Sequence, residues 1–150
     1  MNPEPLTITV ANQQDLLPVD EERLRHTAGR VLADAARGAG SLSIAVVDDA
    51  TIRPINAEFL GHDYATDVLS FALEDDGNRL EGEVIVSAET AIANAADYDA
   101  APEDELLLYV IHGTLHLVGY NDKTEAEATA MRRAEAAYLR PAGAGEANPA

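Results

Sequence analysis

Apolar and polar residues alternate with period two along Leu6-Thr-Ile8-Thr-Val10, the pattern of a half-buried β-strand. Leu42-Ser-Ile-Ala-Val-Val47 predicts a second strand, rich in β-branched residues, and Asp67-Val-Leu-Ser-Phe71 and Glu83-Val-Ile-Val-Ser87 predict a third and a fourth. The polar stretch from Glu74 to Gly82 reads as a loop connecting the last two. Between the first two strands the period changes to that of a helix. Leu24, Ala28, Val31, Leu32 and Ala35 form one stripe, Asp20 is placed to cap the N-terminus, and Glu21 and Glu22 favour the positive end of the helix dipole. Gly38 to Gly40 are expected to stop this helix.

A short helix capped by Asp48 or Asp49 carries Ile52, Ile55 and Phe59, with Pro54 leaving its start ambiguous, and Gly61 to Ala65 follow as a polar loop. Ser87 can cap a helix from about Ala88 to Asp97, and Pro102 opens the next at its first position. That helix holds Leu106, Leu107, Leu108, Tyr109, Val110, Ile111, Leu115, Leu117 and Val118, apolar nearly all round, so it belongs in the middle of the domain. Thr124 and Glu127 make a capping box for a last helix whose inward face is Ala128, Met131 and Tyr138. The fold class predicted is α+β: a small four-stranded mixed sheet covered by about five helices. Residues 1–140 are expected to form one domain, and residues 141–150, rich in Ala, Gly and Pro, a disordered tail.

Composition narrows the chemistry. The 150-residue chain has no cysteine, which removes disulfides and thiolate metal sites and leaves histidine and carboxylate as ligands. A net charge of −17, with a single lysine at Lys123, argues against non-specific binding of polyanions, although it leaves room for a local basic groove. Arg23, Arg30 and Arg37 recur every seven residues and could supply one, with a solvated helix face as the plainer reading. With five tyrosines, two phenylalanines and no tryptophan, no aromatic interleaving points to base stacking. No apolar run approaches the ~20 residues of a membrane span, and Met-Asn-Pro-Glu-Pro lacks the basic and apolar regions of a signal peptide, so a cytoplasmic protein is expected.

The central helix contains His112-Gly-Thr-Leu-His116-Leu-Val-Gly119-Tyr-Asn-Asp122. Residues i and i+4 share a helix face with Cβ atoms ~6 Å apart, so two imidazoles can converge on one Zn²⁺ at ~2.0–2.1 Å. Gly119 can end the helix in the left-handed conformation, letting the following turn return Asp122 to the pair. The plain alternative is a pair of core histidines, which without partners would leave polar nitrogens unsatisfied at ~1–3 kcal/mol each. Three protein ligands leave a fourth position for water, the arrangement of catalytic zinc, and such water ionises near neutral pH. The H-E-x-x-H peptidase motif needs Glu after the first histidine, where this chain has Gly113.

The segment His112 to Asp122 resembles the H-G-x-L-H-L-x-G-Y-D-H signature of the YbeY family of bacterial rRNA-maturation endoribonucleases. Ile55-Asn-Ala-Glu-Phe59, Thr66-Asp-Val-Leu-Ser-Phe71 and Gly82-Glu-Val-Ile-Val-Ser87 are similar to further family segments, in order and in register from about Leu42 to Leu139. The resemblance implies a YbeY-like domain over 1–140 and a single-strand-specific, zinc-dependent endoribonuclease with one Zn²⁺ per chain. Its role would be 16S rRNA 3′-end maturation and ribosome quality control, with ribosomal RNA, the small ribosomal subunit and its proteins as partners, and neither DNA nor membrane. It implies His112 and His116 as metal ligands, with Asp122 where the family has its third histidine. A carboxylate there lowers the charge of the site by one, predicting slower hydrolysis or a higher pH optimum. Leu60 stands where many relatives carry an arginine. His62 is a candidate to substitute for it, with an exposed loop histidine as the alternative. His62 and Asp67 are thus the candidate catalytic groups, and Thr66 and Ser70 the candidate substrate contacts, which as bare sequence would pass for strand-entry and core-edge residues. The rival reading is a non-catalytic ribosome-assembly factor with a structural metal, favoured by the acidic surface. A two-histidine, one-carboxylate Fe(II) oxygenase is a third, allowed by the ligand set alone.

Overall fold

The computed structural model describes residues 5–140, so the tail predicted over 141–150 lies outside the described residues. The elements run β1 (Leu6–Asn12), α1 (Glu21–Asp34), β2 (Ala39–Val47), α2 (Asp49–Leu60), β3 (Val68–Asp75), β4 (Arg79–Ser87), α3 (Ala88–Asp97), α4 (Pro102–Leu117) and α5 (Glu125–Leu139). They form a four-stranded mixed sheet in the order β1-β2-β4-β3, in which β1, β2 and β4 are parallel and β3 is antiparallel to β4. This is the α+β architecture expected from the patterning.

The two inner strands bury one face fully, Leu42, Ile44 and Val46 of β2 and Leu80, Val84 and Val86 of β4, while their other face is mostly half-buried, with Ser43 exposed, so the side chains alternate along each strand. The buried face meets Leu24, Val31 and Leu32 of α1 and Leu107, Ile111 and Leu115 of α4 in the main core. On the opposite face Val47 and Leu69 pack with Ile52 of α2, alongside Ala45, Phe71 and Ile85. Helix α4 touches α1, α3, α5, β3 and β4, the central place its sequence demands. No helix among the described residues is long and apolar enough to cross a membrane.

Caps follow from the local sequence. Asp20, Asp48 and Ser87 each accept from the backbone N–H three residues on, and Thr124 and Glu127 form the reciprocal capping box. Asp49 is not the cap of α2; its Oδ1 accepts from Ser87 Oγ and Thr90 Oγ1, both at 2.6 Å, tying α2 to α3.

Two expectations are corrected. Glu74 to Gly82 is not a loop but the end of β3 and the start of β4, joined at Gly77-Asn78, with Asp76 and Arg79 hydrogen bonded across the turn at 3.0 Å. The strand pairing comes from the backbone, and β3 is an edge strand whose hairpin end, Glu74 and Asp75, is polar and exposed; Arg79 bonds Glu74 and Glu81, each at 2.9 Å. Helix α1 ends at Asp34, before Gly38 to Gly40, because Ala36 takes a left-handed φ of 62°. Arg37 N–H then reaches the Leu32 carbonyl at 2.8 Å and Ala36 N–H that of Ala33 at 3.0 Å, closing a Schellman turn on an alanine.

Candidate metal centre

Pro102 at the first position and Glu103, Asp104 and Glu105 in the first turn start α4. At its other end Gly119 has φ +107°, Gly119 N–H bonds the His116 carbonyl at 3.2 Å and Tyr120 N–H that of Leu115 at 3.0 Å. That Schellman turn reverses the chain within one residue of the helix and carries Asp122 back over it.

The three side chains meet. His112 Nε2 lies 3.0 Å from His116 Nε2, and the Asp122 Oδ2 atom lies 3.7 Å from His116 Nε2 and 3.9 Å from His112 Nε2. A point about 2.1 Å from all three atoms exists in this triangle, within the ~2.0–2.2 Å range of Zn–N and Zn–O bonds. The donor set therefore fits a metal ion, and its atoms all lie within 4.8 Å of one another. Asp122 is 48% exposed against 26% and 28% for the histidines, so the cluster opens toward solvent on the carboxylate side.

Gly113 explains why this helix carries no glutamate after its first histidine. A Cβ there would come 2.8 Å from Val84 Cγ1 and 3.0 Å from Val68 Cγ2, because α4 lies pressed onto β3 and β4 at that point. The residue that carries the base in H-E-x-x-H peptidases here faces the sheet, and a longer side chain has no space.

Glu135 of α5 was not legible as a site residue. Its Oε2 lies 2.5 Å from His112 Nδ1, and its side chain is only 15% exposed. The one available signal was spacing: Ala128, Met131, Glu135 and Tyr138 follow at steps of three, four and three, which puts a carboxylate on the inward face. This hydrogen bond holds His112 above the usual imidazole range, against the opposing effect of burial; the charges of Glu135, Asp122 and Asp67 act in the same upward direction.

Asp67 is thus near enough for its charge to act on His112. Its Oδ1 also accepts from Val68 N–H at 2.7 Å and from Thr66 Oγ1 at 3.3 Å, fixing the entry to β3. Ser70 lies half-buried on β3, paired in register with Val84. His62 is in the exposed loop after α2, where its ring stacks on that of Tyr64 with centroids 5.4 Å apart. Leu60 is 52% and Phe59 61% exposed beside it. The arginine series of α1 is engaged within the protein: Arg23 pairs with Asp104 at 3.0 Å, Arg37 with Asp75 at 2.9 Å, and Arg30 lies 5.3 Å from the centre of the Tyr138 ring.

A sequence model of the family described as Endoribonuclease YbeY matches residues 9–143. Curated relatives of that name include one from Rhodopirellula baltica, 49% identical over 78% of this chain and 66% of its own length, so the chain spans just under two thirds of that relative. One from Chloroherpeton thalassium is 40% identical over 79% of this chain and 84% of its own. One from Salinibacter ruber is 37% identical over 91% of each. Among solved structures, the solution structure of TM1509 from Thermotoga maritima aligns with a TM-score of 0.62 and 26% identity, covering 88% of this chain and 86% of that one. The match of the family model over residues 9–143 and the relatives at 37–49% identity lead to one assignment: the chain belongs to the YbeY family.

Proposed function

We propose that this protein is a zinc-dependent endoribonuclease that cuts single-stranded RNA in 16S rRNA 3′-end maturation and ribosome quality control in the cytoplasm, with residues 1–140 acting as one domain. The observation that carries the reading is the convergence of His112, His116 and Asp122 in a chain of this family. These three would hold one Zn²⁺ per chain, which when bound supplies a Lewis acid and lowers the pKa of water toward neutrality. The chain's own residues orient and bind. His112 and His116 direct their Nε2 atoms to one point from one rigid helix face, and Asp122 adds a negative charge on the open side. Asp67, held by Val68 N–H, is assigned to proton transfer with His62, and Thr66 and Ser70 to substrate contact. Ribosomal RNA and the small ribosomal subunit with its proteins are the partners proposed.

The test is cleavage of a single-stranded 16S precursor 3′ segment beside the same sequence in duplex and as DNA. Cleavage of the single-stranded RNA alone, lost in chelator, restored by Zn²⁺ and absent in His116→Ala, is expected. Stoichiometric metal with no RNA cleavage at any pH would favour the alternative, a ribosome-assembly factor with a structural metal, which the net charge of −17 and exposed Leu60 support.

A further inference from the structure

We propose that Glu135 is a positioning residue of the metal centre, which holds His112 in the one tautomer that turns its Nε2 lone pair toward the ion; this rests on the metal reading above. A carboxylate accepts and cannot donate, so the 2.5 Å contact places the imidazole proton on Nδ1 and leaves Nε2 free to ligate. His112 Nε2 is the atom that faces His116 Nε2 at 3.0 Å and Asp122, on the far side of the ring from Glu135. The ring is therefore clamped at both ends. A metal-ligating histidine backed by a carboxylate is fixed in orientation and made more basic.

The delivery of Glu135 is rigid. Met131, one turn earlier on the same face, is 2% exposed in the core against α4. One turn later Tyr138 Oη donates to Asp34 of α1 at 2.6 Å and lies under Arg30. Helix α5 is thus pinned on both sides of Glu135. A carboxylate this far out of water is costly unless partnered, and its partner is His112. With two neutral imidazoles, Asp122 and Glu135 bring two negative charges to the centre, the charge of a divalent cation.

The test titrates metal-free protein with Zn²⁺ against a chromophoric chelator for wild type, Glu135→Gln and Glu135→Leu. Glu135→Leu should bind about 10–100-fold more weakly, the usual effect of losing such a partner, and Glu135→Gln, which keeps an acceptor without the charge, should fall between. The ¹⁵N resonances of the His112 ring should report a proton on Nδ1 in the metal-free wild type and its redistribution in Glu135→Leu. Thermal unfolding of the metal-free proteins checks the fold, and the isosteric Gln variant keeps the test valid if Leu unfolds. Wild-type affinity in a folded Glu135 variant, or a wild-type His112 ring protonated on Nε2 alone, overturns the proposal. Failure of the wild type to take up Zn²⁺ overturns the metal reading itself, a separate result.

Discussion

Gly113→Ala tests how the site is built, because its sign separates two opposed effects. In an exposed helix the change from glycine to alanine stabilises by about 1 kcal/mol through propensity. At Gly113 the new methyl would stand 2.8 Å from Val84 Cγ1 and 3.0 Å from Val68 Cγ2. Both neighbours are β-branched, stiff at χ1 and set in strands, and Val84 is fully buried, so neither side chain can swing away cheaply. Overpacking of this kind costs about 1–3 kcal/mol. Net of propensity, destabilisation should reach up to about 2 kcal/mol, or a fall of up to about 8 °C in Tm for a chain of this size. Lifting α4 off the sheet also moves His112, so metal affinity should fall with stability. Thermal unfolding with and without Zn²⁺ measures both. In a Val84→Ala background the same substitution should become neutral or stabilising, with a coupling of about 1–2 kcal/mol. An increase in Tm for Gly113→Ala in the wild-type background would refute the close approach of α4 to the sheet.

Ala36→Gly should stabilise by about 0.5–1 kcal/mol, because a left-handed alanine costs about 1–2 kcal/mol and glycine gives part of that back through unfolded-state entropy; unchanged or lowered Tm would contradict it. Asp48 is held below the usual carboxylate range by Thr51, Asp63 by Arg53, Asp75 by Arg37 and Glu81 by Arg79. Groups so depressed contribute stability above their unfolded pKa of about 4 and lose it as pH falls through their folded values, so Tm should decline below about pH 4. A maximum in Tm at about pH 4 or lower would mean that relief of self-repulsion in this acidic chain outweighs the loss of these bonds. Asp122→His should raise the charge of the centre by one and move the rising limb of the RNA-cleavage pH profile to lower pH; a profile shifted upward would count against Asp122 as a ligand.

What could be read from the sequence was what is local. The period-two run at Leu6 to Val10, the Ser87 cap, the Thr124 and Glu127 box and the largely apolar α4 each depend on neighbours within four residues, and each appears where expected. The convergence of His112, His116 and Asp122 was legible for the same reason. His112 and His116 are one turn apart, and Gly119 makes the turn that returns Asp122. The β3–β4 hairpin was missed because its polar outer residues pair through the backbone at a sheet edge, although Asp76-Gly77 is a recognised turn signal. The stop of α1 was misplaced because Ala36 takes the left-handed position, with glycines close by to mislead. Glu135 escaped because its role depends on α5 docking beside α4, a contact between residues 23 apart that no local pattern encodes. Asp67 is similar: its motif placed it near the site, but only packing of β3 against α4 brings its charge to His112.

The central claim is that His112, His116 and Asp122 hold one catalytic metal ion, and the most direct test is the metal content per chain of purified wild type beside Asp122→Ala, determined by elemental analysis. One equivalent of zinc in the wild type, with little or none kept by Asp122→Ala after dialysis, is the predicted result. Wild type that purifies and reconstitutes without metal, or an Asp122→Ala variant that retains a full equivalent as firmly as wild type, would contradict it.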